Sequence, residues 1–375
     1  MLFEDLSLEK IIPVFLTALF TALVLTPVSI LIARKTGVVD VPIDKRRMHD
    51  HPVPQMGGMA IYAATMLALL IYGSGGANIR TAMLGGTLIF ILGLADDKFN
   101  LHAGFKFACQ TAVAVIMYAG GIRISLITNY FGSGHIHFNE VITFIFTVLW
   151  IVGITNTINL IDGLDGLAGG ISAIDALVIA YIAYIHGGTV GMPVVCMAMV
   201  AIAGACIGFL PYNFFPAKTF MGDEGALFLG FMIAVLSVIG PLKRSTVIAV
   251  AAPVVALAIP IFDTSFAILR RIVNHRPIMG ADKGHLHHRL MASGYGQRRA
   301  VIMMYGISAI MGMAAIMISR ELYKEAFALA CIAVAYLYVF LTDPNRKMPL
   351  LKAVKTDKRG REAYDKSGDD RQKTT

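Results

Sequence analysis

Long apolar runs broken by short polar segments fill most of this chain. Eleven runs occur, at about 11–33, 56–73, 81–95, 105–121, 141–158, 167–185, 192–210, 225–241, 246–268, 300–318 and 326–342. Many reach the roughly 17–25 residues that a helix needs to cross a bilayer. The pattern predicts an all-α polytopic membrane protein of about eleven transmembrane helices. An odd number of alternating spans leaves the two chain ends in opposite compartments.

Composition supports that reading and removes its main rival. The chain is 57% hydrophobic and only 15% charged, with a mean hydropathy of +0.69. Soluble domains are nearer half apolar and a quarter charged, so 375 residues do not divide here into two or three soluble domains. The first run follows Glu4, Asp5 and Glu9 and lacks a small-residue cleavage site after it, so it is expected to stay as a helix. Cys109, Cys196, Cys206 and Cys331 stand singly in apolar surroundings, without metal-ligand spacing, and read as packing residues.

Charge orients the spans. Of the 32 Lys and Arg residues, 25 fall in segments 34–55, 96–104 with Lys106, 211–224, 269–299 and 343–375, all on one side of the alternation. Lys10, Arg80, Arg123, Lys243, Arg244, Arg320 and Lys324 lie on the other. Basic loops stay in the cytoplasm, so the N-terminus is expected outside and the C-terminus inside. Residues 1–345 form the membrane domain, and 346–375 read as a basic, disordered cytoplasmic tail drawn to anionic lipid. The net charge of +8 then reflects topology rather than a nucleic-acid partner.

Four acidic or amide patches stand where apolar runs end, and the alternation puts all four on the basic side: Asp96-Asp97, Asn156 to Asp165, Asn213 to Asp223, and Asp282 to His288. Adjacent helical residues point about 100° apart, so Asp96 and Asp97 cannot do the same job. A helix C-terminus repels carboxylates, which asks for a cation beside them, either Lys98, Lys106 or a divalent metal. Between Asn156 and Asp165 a polar oxygen recurs every third residue, at Asn156, Asn159, Asp162 and Asp165. Three-residue steps drift round a helix, so Gly163 and Gly166 are expected to break it near Asn159. Asp223 lies between glycines just before an apolar helix. Hard oxygen donors without cysteine suit Mg²⁺ or Mn²⁺. His285, His287, His288 and Arg289 suit hydrogen bonds to phosphate oxygens better than zinc. Asp175 alone falls inside a run, where a charge is costly; it is expected to face the bundle, protonated or bonded to a neighbour.

Carboxylates gathering a hard cation, ringed by basic side chains at a membrane face, suit phosphoryl transfer between a water-soluble and a lipid-soluble substrate. The chain also resembles a known family over about residues 10–345. The matching motifs are Asp-Asp-Lys-Phe-Asn at 96–100, Asn-Leu-Ile-Asp-Gly-Leu-Asp-Gly-Leu at 159–167, Asn-Phe-Phe-Pro-Ala-Lys-Thr-Phe-Met-Gly-Asp at 213–223 and His-Leu-His-His at 285–288. Asp-Val-Pro at 40–42 and the stretch His49 to Gly58 add to them. These resemble the polyprenyl-phosphate N-acetylhexosamine-1-phosphate transferases, nearest the Gram-positive teichoic acid branch.

The resemblance implies a cytosolic active site in the bacterial cell membrane. There N-acetylglucosamine 1-phosphate would pass from UDP-N-acetylglucosamine to undecaprenyl phosphate, releasing UMP. It implies Mg²⁺, with Mn²⁺ as an alternative, held by Asp223, Asn159 and Asp97, with Asp96 at the same centre. Asp97 would activate the lipid phosphate and Lys106 would bind phosphate. Asp165 and Asn213 would contact the nucleotide, Asp162 would belong to the same substrate-binding set, and His285, His287, His288 and Arg289 would face the pyrophosphate or sugar. Asn100 departs from the pattern, since many relatives carry a third aspartate there. Single displacement is favoured over a phosphoryl-enzyme, and a homodimer is left open. Two rivals stand beside this reading: a UDP-MurNAc-pentapeptide donor on the same fold, and an ion-coupled transporter, which would place polar sites near the midplane.

Overall fold

The computed structural model describes residues 6–41, 52–73, 76–124, 126–128, 135–188, 191–239, 254–255, 257–273, 286, 290–291 and 295–342. Helices follow the apolar runs: α1 (Leu8–Thr36), α2 (Gly58–Tyr72), α3 (Ala77–Phe99), α4 (Ala103–Ala119), α5 (Glu140–Ile161), α6 (Leu167–Ile185), α7 (Met192–Asn213), α8 (Gly222–Ile239), α9 (Ala258–Val273), α10 (Gln297–Ser319) and α11 (Tyr323–Thr342). Among the described residues two short antiparallel strand pairs lie between them, β1 (Val39–Asp40) with β2 (Val53–Pro54), and β3 (Leu126–Thr128) with β4 (His135–His137).

Several helices outrun their apolar segments because polar residues stop them later. In α3 the helix passes through Asp96 and Asp97 and ends only at Asn100, whose left-handed backbone (φ 48°) closes it. Among the described residues, eight helices are long and apolar enough to cross a membrane: α1, α3, α5, α6, α7, α8, α10 and α11. The shorter α2 and α4 are apolar as well, whereas α9 carries Asp263, Arg270 and Arg271. The protein is therefore a mostly helical, multi-pass membrane protein.

Burial sorts the helices into a centre and a rim. In α7 and α8, 83% of the spanning window is buried, against 22% in α1 and 11% in α11. The rim helices show large apolar side chains outward, such as Leu16, Phe20 and Val24 of α1 and Phe327 and Val334 of α11. Lipid gives no hydrophobic drive between helices, so small side chains must bring them close. The inner stripe of α1 follows that rule, with Val14, Ala18, Ala22, Thr26, Ser29 and Ala33 buried.

The helix directions decide where the polar patches meet. Gly57 and Gly58, at the start of α2, donate to the Phe220 and Met221 carbonyls (2.9 and 2.8 Å), just before α8 begins. Arg298, at the start of α10, donates from Nε to the Phe215 carbonyl at 2.9 Å. At the opposite end, His186 after α6 meets the Ser319 carbonyl of α10 at 3.1 Å. From there α11 returns, bringing Phe340 within 5.8 Å of the Tyr295 ring.

Candidate active site

The last turn of α3 and the first turns of α4 and α8 meet at one end of the bundle. Asp96 and Asp97 point to different partners there, as the 100° step demands. Asp96 accepts from the Leu101 amide at 2.8 Å, closing the turn into α4, and its other oxygen pairs with the Lys106 ammonium. Lys106 pairs at the same time with Asp223, so a single cation joins carboxylates from α3 and α8. Asn159, in the last turn of α5, donates from Nδ2 to the other oxygen of Asp223 at 2.9 Å.

Asp97 closes the start of α8. Its Oδ1 accepts from the Asp223 amide at 3.0 Å and its Oδ2 from the Glu224 amide at 3.0 Å. These are among the N–H groups that a helix start leaves without intrahelical partners, and the positive end of the helix dipole favours the carboxylate. A second donor reaches Oδ1 from the Gln55 side chain at 2.8 Å.

Two glycines make this approach feasible. Gly222 has φ +73°, and a Cβ there would come within 2.2 Å of Glu224 Oε2 and 2.8 Å of Asp97 Oδ2. A Cβ on Gly93, one turn before Asp97, would meet the Glu224 Cα at 2.3 Å. Backbone contact between α3 and α8 is what brings Asp97 to the α8 amides.

The polar series from Asn156 to Asp165 is divided between tasks. The helix stops at Ile161, and α6 opens from Gly166 with φ +80°, so the break predicted at the glycines is present. Asn159 reaches Asp223, as above. Asn156 donates instead to Gln110, one turn further into the bundle. Asp165 accepts from the Ala217 amide at 2.9 Å. Asn213, 2% exposed, accepts from the Gly166 amide at 3.0 Å and donates to the Thr219 carbonyl at 2.9 Å. Both residues tie the Asp162–Gly166 loop to the Asn213–Gly222 loop, and Tyr305 of α10 holds the Gly166 carbonyl. Asp162 lies just past α5; burial, then the Asp223, Asp97 and Asp165 carboxylates, push it up to about 8.

His285, His287, His288, Arg289 and Asp282 lie outside the described residues. Leu286, within that motif, donates its amide to Asp263 of α9 at 2.7 Å. Asp175 of α6 is wholly buried and accepts from Ser308 of α10 at 3.2 Å. Three residues near the centre escape a reading of the sequence. Gln110, a lone amide in an apolar run, is a visible signal. Glu224 is visible beside Asp223; it is wholly buried, and its carboxyl oxygens have no hydrogen-bond partner among the described residues. Gln55 carries no local signal beyond its place in the stretch His49 to Gly58.

The donor set fits a hard divalent cation such as Mg²⁺ or Mn²⁺ better than zinc or another softer metal. Among the described residues no three His, Cys, Asp or Glu side chains group as a metal site. Mg²⁺ is commonly held by one or two carboxylates, with waters and substrate phosphates completing its shell. Asp223, Asp96 and the Asn159 amide could supply that minimum. The Lys106 ammonium already sits between the two carboxylates, so the position attracts positive charge.

Comparison with known proteins bears on the same residues. Residues 79–241 match the model of glycosyl transferase family 4. The chain is 42% identical over 315 residues to a probable undecaprenyl-phosphate N-acetylglucosaminyl 1-phosphate transferase of Bacillus subtilis, covering 84% of this chain and 86% of the relative. It is 35% identical over 299 residues to the decaprenyl-phosphate N-acetylglucosaminephosphotransferase of Mycolicibacterium smegmatis, covering 73% of each. A third relative, an undecaprenyl-phosphate alpha-N-acetylglucosaminyl 1-phosphate transferase of Thermotoga maritima, is 28% identical across 91% of this chain and 99% of its own.

Proposed function

The chain belongs to glycosyl transferase family 4, and from that premise we propose that it transfers N-acetylglucosamine 1-phosphate from UDP-N-acetylglucosamine to undecaprenyl phosphate. The products are undecaprenyl-diphospho-N-acetylglucosamine and UMP. The relatives' names support the reaction. The observation that carries it to these residues is Lys106 held between Asp96 and Asp223, with Asn159 on the same carboxylate, at one end of the bundle.

An oxygen of the lipid phosphate attacks the sugar-bearing phosphorus of the donor; the bond to the bridging oxygen breaks, and UMP leaves. Lys106 offers its ammonium to phosphate oxygens, and the start of α8 aims backbone dipole at the same place. Asp97 orients or deprotonates the acceptor phosphate, using the lone-pair capacity left beside its three N–H partners. When bound, Mg²⁺ or Mn²⁺ supplies charge neutralisation across the transferring phosphoryl group. His285, His287, His288 and Arg289 are assigned to the donor pyrophosphate or sugar, with Asp162, Asp165 and Asn213 shaping the nucleotide side. We assign the site end to the cytoplasmic face of the bacterial cell membrane, with about eleven spans, on the excess of Lys and Arg.

A transfer assay tests this reading. Membranes holding the protein, given labelled UDP-N-acetylglucosamine, undecaprenyl phosphate and Mg²⁺, should move label into the organic phase in proportion to acceptor. UDP-MurNAc-pentapeptide should give none, and tunicamycin, which resembles the hexosamine donor, should block the transfer. Failure of label to enter lipid, with the protein folded, overturns the proposal.

A further inference from the structure

We propose that Gln55 is a positioning residue of this centre, holding the Asp97 carboxylate from outside the helices that carry it. The inference deepens the transferase reading and rests on it. Gln55 Nε2 lies 2.8 Å from Asp97 Oδ1, across 42 residues of chain. A carboxylate only accepts, so the donor facing it is the amide NH₂ group whichever way the side chain is drawn.

The backbone under Gln55 is pinned from two sides. Its own amide donates to the Val38 carbonyl at 3.1 Å, and it bridges Phe220 in parallel. The preceding carbonyl, of Pro54, accepts from the Phe220 amide at 2.8 Å and from Thr219 Oγ1 at 2.9 Å. The segment 53–58 is thereby fixed to the loop that ends in Asp223. A side chain standing on such a base loses little further freedom when it bonds Asp97, and a hydrogen bond to a charged group is among the stronger kinds.

Asp97 is consequently held on two flanks. The α8 amides hold it toward Asp223, and Gln55 ties it to the β1–β2 segment. Without Gln55, Oδ1 keeps only the Asp223 amide and Oδ2 only the Glu224 amide, so the carboxylate stays on α8 but its tilt toward the acceptor phosphate is no longer fixed. Orientation errors of this kind lower turnover rather than donor binding.

The test uses three full-length variants in the transfer assay, with melting temperatures measured in detergent. Gln55→Met keeps the shape and removes the donor. It should lower kcat about tenfold, with the KM for UDP-N-acetylglucosamine changed less than about twofold. Gln55→Ala should behave similarly. Gln55→Glu, the closest match in shape, should be the worst, by about a hundredfold, because it sets a like charge against Asp97. A merely structural role predicts that the melting temperature falls with the activity, while kcat per folded enzyme stays at the wild-type value. Wild-type kcat in Gln55→Met, a loss confined to KM, or a Glu variant better than the Ala variant overturns the proposal. Absence of transfer by the wild type in the same assay would instead overturn the transferase reading.

Discussion

Replacing Gly93 with alanine tests whether the spacing of α3 and α8 sets the site. The added Cβ would stand 2.3 Å from the Glu224 Cα, 2.5 Å from its amide nitrogen and 2.7 Å from the Asp223 carbonyl carbon. All three atoms are backbone, so no side-chain rotation relieves the clash. Restoring an ordinary contact of at least 3.4 Å requires the helices to part by about 1 Å. Asp97 lies one turn beyond Gly93 on α3, and the amides it accepts from belong to the same α8 residues. A displacement of about 1 Å at a reacting group costs roughly a hundredfold in rate, and overpacking costs about 1–3 kcal/mol of stability. Purified Gly93→Ala should therefore show kcat down about a hundredfold with a lowered melting temperature, yet remain in the membrane. Gly153→Ala is the control, because a Cβ there meets nothing within 4 Å; its activity should stay at wild-type level. Near-normal kcat in Gly93→Ala would refute the argument that this contact sets the catalytic geometry.

Three other outcomes follow from named contacts. Asp97→Asn should abolish turnover while the protein still inserts; activity near wild type would refute the role proposed for this carboxylate. Asp175→Asn keeps an oxygen for Ser308, so activity should fall less than about threefold, and a severe loss would mean that Asp175 takes part in the chemistry. Asp162 gives a pH test. Burial and the neighbouring carboxylates push its carboxyl up from the ordinary 3.8 to about 8. Folding therefore binds its proton more tightly, and the stability so gained is complete below about pH 4 and lost as pH rises towards 8. The melting temperature of Asp162→Asn relative to wild type should climb between about pH 4 and pH 8 and level off above, measured without divalent metal. A gap independent of pH refutes the assignment.

Much of the fold is legible in the sequence because lipid imposes a length on every spanning helix. The apolar runs mark the helices, and counting their alternation is enough to bring Asp96, Asn159 and Asp223 to one end of the bundle. The divergence of Asp96 from Asp97 follows from helix geometry alone. What stays hidden depends on which helices pack together and in what register. Asp165 and Asn213 belong to the expected site, yet they also bind the two loops to each other. Asn156 shares its spacing with Asn159 but turns to Gln110, because α4 lies against that face of α5. Gln55 meets Asp97 only through pairing of the β2 region with the Thr219–Met221 backbone, which no local period records.

Binding of Mn²⁺ to purified protein, followed by electron paramagnetic resonance with UDP present, addresses the convergence most directly. One tightly held ion per chain is expected, displaced by excess Mg²⁺. In Asp223→Ala that bound signal should disappear, together with transfer activity and its dependence on metal. Unchanged stoichiometry and affinity in Asp223→Ala would contradict a centre built from the ends of α3, α4, α5 and α8 around one divalent cation.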